Sequence, residues 1–134
     1  MSSKANDYSR VFAEANRNAD LLKGKMEPQA YTELKMTLEE IEGFCAMSPT
    51  KTLLDVYKEY YEMQFMMMQS QHNKMLSDAQ KFSEAQHETE KERTETMRRI
   101  REQIEKEKQQ FTELHTKVKD LLHIEGFFDK SKLI

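Results

Sequence analysis

The chain has 134 residues, of which 34 % are charged and 9 % aromatic, with ten methionines and no tryptophan. That is too polar for one large core, yet too rich in ordered apolar repeats for disorder. Its 24 acidic and 21 basic side chains are closely mixed and sum to −3, so no long-range field draws nucleic acid or anionic lipid.

The single cysteine, Cys45, excludes an internal disulfide and fits a reducing compartment. No apolar run has the length a bilayer needs, and Met1–Arg10 carries no hydrophobic signal core. The expectation is an intracellular, cytoplasmic protein.

In chain order, the first predicted helix spans about 6–23. Tyr8, Phe12, Ala15, Ala19 and Leu22 recur at spacings of four and three, and Gly24 ends the stripe. The second spans about 28–42. Pro28 suits its first position, where a missing N–H costs nothing, and Tyr31, Leu34, Leu38 and Ile41 form its apolar stripe. Gly43 followed by Phe44 predicts a left-handed C-terminal cap, and Ser48-Pro49 predicts the start of the next helix. So short a loop folds the neighbouring helices back antiparallel.

Between Pro49 and Gly126 lie 76 residues without proline or glycine. They read as one continuous helix, a rod of roughly 110 Å. From Leu53 to Met68 it is apolar on nearly every side, so this part is expected to be surrounded. A heptad seam then runs through Tyr61, Phe65, Met68, His72, Met75, Ala79 and Phe82, with His72 as a polar layer that sets register. The seam lapses between Ser83 and Thr96. It resumes at Met97, Ile100, Ile104, Phe111, Leu114, Val118 and Leu121, with Glu107 as a polar intruder, after a phase jump of four that reads as a stutter. The Ile-Glu-Gly-Phe tetrapeptide at 41–44 returns at 124–127, where it again marks a helix end, leaving 126–134 as a tail.

Chemistry-bearing motifs are sparse. Three scattered glycines cannot build a phosphate loop, and Cys45 has no histidine near it in sequence. Two acid-x-x-His pairs, Glu84/His87 and Asp120/His123, lie on the same rod and could share a metal only across chains. Polar surroundings make them solvent-face residues instead. The Arg98, Arg99, Arg101 cluster is interleaved with Glu95, Glu102 and Glu105, which suits a solvated helix face.

The fold expected is therefore all-α: short antiparallel helices packed on one very long helix that continues as a coiled coil. Residues 6–82 form a helical head and 83–125 a projecting arm. With no intrachain segment to cover the arm, the chain is expected to pair as a homodimer or coiled-coil heteromer. The interface would use Tyr57, Tyr60, Tyr61, Phe65, Met67, Met68, Met75 and Phe82 near the head, then Met97, Ile100, Ile104, Phe111, Leu114, Val118 and Leu121 along the arm. The function expected is that of a non-enzymatic spacer, tether or scaffold, without cofactor or catalytic residues, whose head docks other proteins. Two alternatives are a membrane-surface helical dimer, which the even charge mixing disfavours, and an interchain metal-binding protein using Glu84, His87, Asp120 and His123.

Overall fold

A computed structural model describes residues 3–124, with side chains from Tyr8 onward. Every regular element among the described residues is helical, as expected: α1 (Ser3–Leu21), a 3₁₀ turn (Lys23–Lys25), α2 (Pro28–Met47), α3 (Leu53–Ala85) and α4 (Glu90–Leu121). The chain divides into two compact units. One comprises Met1–Tyr60 and Glu113–Ile134, the other Tyr61–Thr112.

In the first unit, α1 buries Phe12, Ala15 and Ala19, and α2 buries Leu34, Leu38 and Ile41. Both are single stripes at helical spacing, and the two alanines let the helices approach closely. Outside this core Asp20 on α1 accepts hydrogen bonds from the Tyr31 hydroxyl at 2.7 Å and from Lys35 Nζ at 2.9 Å, both on α2. Pro28 stands in the first turn of α2.

The expected stop at Gly43 is corrected: α2 continues through Gly43 and Phe44 to Met47. Cys45, 1 % exposed, extends the Leu34–Leu38–Ile41 stripe by a further turn. That burial outweighs the cost of a helical glycine, about 1 kcal/mol relative to alanine. Ser48 does not start the next helix but closes α2, its N–H donating to the Cys45 carbonyl at 3.2 Å. Thr52 is the N-cap of α3, its hydroxyl accepting the Asp55 N–H at 3.1 Å. A Cβ at Gly43 would meet nothing within 4 Å. Gly43→Ala should therefore raise stability by about 0.5–1 kcal/mol, measurable as a higher melting temperature.

The continuous rod is also corrected. α3 ends at Ala85 and α4 begins at Glu90. His87 takes the left-handed conformation (φ 53°). Its N–H donates to the Glu84 carbonyl at 3.1 Å, and the Glu88 N–H to the Ser83 carbonyl at 3.1 Å. This is the paired closure of a helix C-terminus, with histidine where glycine is usual. Two residues on, Thr89 and Glu92 form a reciprocal box. The Glu92 N–H donates to the Thr89 hydroxyl at 3.2 Å, and the Thr89 N–H to the Glu92 carboxylate at 2.9 Å. A stop and a start thus follow one another without glycine or proline. The lapse in the seam and its phase jump mark a chain reversal, not a stutter.

Beyond the turn α4 runs antiparallel to α3 within the second unit. Phe111 packs on Tyr61 and Phe65 with ring centroids 5.4 and 6.2 Å apart, and His72 meets Glu107 nearer the turn. The apolar seam of α4 is thereby covered in part inside one chain: Ile104 is 6 % exposed and, in the first unit, Val118 is fully buried. Met97, Ile100, Phe111, Leu114 and Leu121 of the same seam are half-buried. Phe82 also leaves the seam. It is 59 % exposed while Ser83 is buried, because a small side chain fits where α3 approaches the reversal. α4 closes as α3 does, with His123 left-handed (φ 57°) and the Ile124 N–H on the Lys119 carbonyl at 2.9 Å. The ending expected at Gly126-Phe127 and the tail lie outside the described residues.

Candidate interaction surface

Around the junction of α2, α3 and α4 in the first unit, aromatic and polar groups interlock. The Tyr57 hydroxyl and His115 Nδ1 share a buried hydrogen bond of 2.8 Å. The His115 ring lies 5.9 Å from that of Tyr57 and 6.4 Å from that of Tyr60. Tyr60 donates to Glu40 at 2.6 Å and packs against Phe44, with centroids 5.9 Å apart. Burial makes the imidazolium costly and pushes the His115 pKa down to about 4. The same desolvation, with Glu40 adding to it, pushes the Tyr60 phenol up. Burial raises the Cys45 thiol to about 11, which leaves it a packing group rather than a nucleophile. Tyr57 and Tyr60 are therefore core residues, as is Val118, while Leu114 and Leu121 are half-buried.

In the second unit Tyr61, Phe65, Met68, Met75, Met97, Ile100 and Phe111 are half-buried, and Ile104 is buried. The two polar exceptions of the two seams face each other: His72 Nε2 lies 2.9 Å from a Glu107 oxygen. Gln103 donates to the other oxygen at 2.8 Å. The Gln103 bond first, and the His72 contact second, hold the Glu107 carboxyl below its ordinary value. A slip of one heptad would set each polar group against an apolar layer, so the pair specifies register. His72 is the register layer expected, and its counterpart is Glu107 of the same chain.

With the aromatic side of α3 turned inward, its methionines remain outside. Met63, Met66 and Met67 are 43 %, 68 % and 50 % exposed. They begin a run, Met63–Asn73, that contains no Asp, Glu, Lys or Arg. Three helical turns of uncharged surface are unusual in a chain with 34 % charged residues. Met67 is among the interface residues expected from sequence; Met63 and Met66 are not. The signal for them was available, because a seam through Tyr61, Phe65, Met68 and His72 leaves 63, 66 and 67 pointing away from it.

The outer face of α4 is the opposite in character. Arg98 bridges Glu95 at 2.5 Å and also Glu102, and Arg99 reaches Glu95 at 3.2 Å. The two guanidiniums, Arg98 first, hold the Glu95 carboxyl down at about 2. These contacts are solvated, and each contributes little to stability. A shallow depression of about 840 Å³ along this face is lined by side chains of both signs, among them Arg101, Glu105 and Lys108.

His87 and His123 serve as left-handed capping residues, and among the described residues no cluster of three His, Cys, Asp or Glu side chains could hold a metal ion. No described helix is long and apolar enough to cross a membrane. Comparison of the chain with protein-family models, with curated proteins and with solved structures finds no match.

Proposed function

We propose that this protein is a non-enzymatic helical adaptor subunit that assembles with protein partners through the outer face of α3. The observation that carries this reading is the uncharged, methionine-bearing surface at Met63–Asn73. Methionine side chains are flexible and polarizable, and suit a surface that must conform to another helix. The heptad spacing of the buried positions supports describing α3 and α4 as an intrachain antiparallel coiled coil, a rigid support for such a face. A lone, buried cysteine accords with an intracellular, reducing setting.

Site-specific photo-cross-linking in the native host tests the proposal. A photoreactive residue in place of Met67 should give protein adducts, whereas one in place of Lys106, on the charged outer side of α4, should give none. Equal yields from the two positions, or none from either, would count against an adaptor role for α3.

A further inference from the structure

We infer that the occupant of this face is a second copy of the same chain, packed antiparallel through α3 about a two-fold axis near Ser70. The inference rests on reading the α3 face as a protein-docking surface and adds the identity of the partner. Because the buried seam runs through Tyr61, Phe65, Met68, His72 and Ala79, the lane diametrically opposite runs through Met63, Ser70 and Ser77. Met66 and Asn73 flank it on one side, Met67 and Lys74 on the other, and all seven are exposed.

Bulk is distributed unevenly along this lane. The three methionines fill its N-terminal half, and Ser70 and Ser77 thin its centre and C-terminal half. Antiparallel packing centred on Ser70 sets Met63 over the second copy's Ser77, Met66 beside its Asn73, and Met67 along the aliphatic stem of its Lys74. The two small Ser70 side chains then let the helix axes approach. Parallel packing would press methionine on methionine at one end and leave serine facing serine at the other, crowded here and void there.

Charge points the same way. Lys74 is the one lysine, arginine or carboxylate within Met63–Ser77. In the antiparallel arrangement it lies along the second copy's Met67, and the two Lys74 side chains are held about eight residues apart along the contact. In the parallel arrangement it would fall beside another Lys74. A like-charge contact of that kind suppresses the wrong pairing. A contact of about four helical turns lies below the standard interface size, so the dimer should exchange freely, with a Kd on the order of 10–100 µM.

Sedimentation of the purified full chain across a concentration series should show reversible monomer–dimer exchange. The double variant Met66→Glu, Met67→Glu, which touches only exposed positions, should keep its helicity and melting curve yet dimerise at least about tenfold more weakly. With buried Cys45 left in place, a mixture of Met63→Cys and Ser77→Cys proteins should form a disulfide-linked pair on mild oxidation, whereas Met63→Cys alone should not link to itself. Three results would overturn the inference: wild-type protein monomeric up to about 1 mM, well above the expected Kd, undiminished dimerisation of the glutamate variant, or self-linking of Met63→Cys. If the pure protein stays monomeric while the Met67 photo-cross-linker captures a different polypeptide, self-pairing fails and the adaptor reading stands. If that cross-linker captures nothing, the adaptor reading itself fails.

Discussion

Replacing Ile104 by glutamate should destabilise the second unit by about 3–5 kcal/mol, and by the same amount at every protein concentration. Ile104 is 6 % exposed within a single chain. The substitution removes a buried aliphatic side chain and sets a carboxylate among apolar neighbours. Urea denaturation followed by far-ultraviolet circular dichroism, repeated over a hundredfold dilution series, measures both the size and the concentration independence. A loss of stability that grows on dilution would show instead that α4 is covered by another chain. By contrast, Met67→Glu, on the exposed side of α3, should change the stability of the monomer by less than about 0.5 kcal/mol.

Acid should weaken the first unit well before its carboxylates titrate. His115 is neutral in the fold down to about pH 4, because its burial opposes the charged form. In the unfolded chain it takes up a proton near its ordinary value of about 6.5. Between those two values the unfolded state binds one more proton than the folded state. Stability is therefore full above about pH 6.5 and falls with decreasing pH until about 4, by roughly 3 kcal/mol in all. Below that both states are protonated and this contribution is flat. Asp20, held down by Tyr31 and then Lys35, and Glu107, held down by Gln103 and then His72, act in the same direction, but only as pH falls through the carboxylate range. The interval from pH 6.5 to 5 thus separates His115 from these two carboxylates. His115→Phe keeps a ring against Tyr57 and Tyr60 while removing the titration, and its stability should vary much less across that interval. A wild-type curve with no slope there would mean that the His115 imidazole accepts its proton inside the fold.

How far the sequence foretold this structure depends on which signals were weighed. The stripes of α1 and α2 were legible residue by residue, because one buried face at helical spacing leaves little choice. Pro28 was legible for the same local reason. Gly43 misled, since a glycine ends a helix only where no further burial is on offer, and Cys45 offered one more turn. The reversal at residues 86–89 was written in the chain as well, as Thr-Glu-Lys-Glu at 89–92 just after His87. Neither glycine nor proline accompanies it, so the strongest local stop signals are missing there. Histidine tolerates the left-handed conformation well enough to serve. The exceptions His72 and Glu107 were each visible, and pairing them would have predicted the hairpin and its register together. The outward methionines followed from the seam, but only once its partner was known to lie in the same chain.

The capped reversal also governs the order in which contacts can form. Tyr57 and His115 are 58 residues apart in sequence, so closing that contact from an extended chain means closing a long loop. His72 and Glu107 are 35 apart and lie nearer the turn. If the turn nucleates first, α3 and α4 zip away from it through His72–Glu107 and then Phe65–Phe111. By the time Tyr61 meets Phe111, the Tyr57–His115 contact closes only about eight further residues. That saves roughly 2 kcal/mol of loop-closure entropy relative to the open chain. The refolding rate of the first unit is then set by a four-residue turn that belongs to the second.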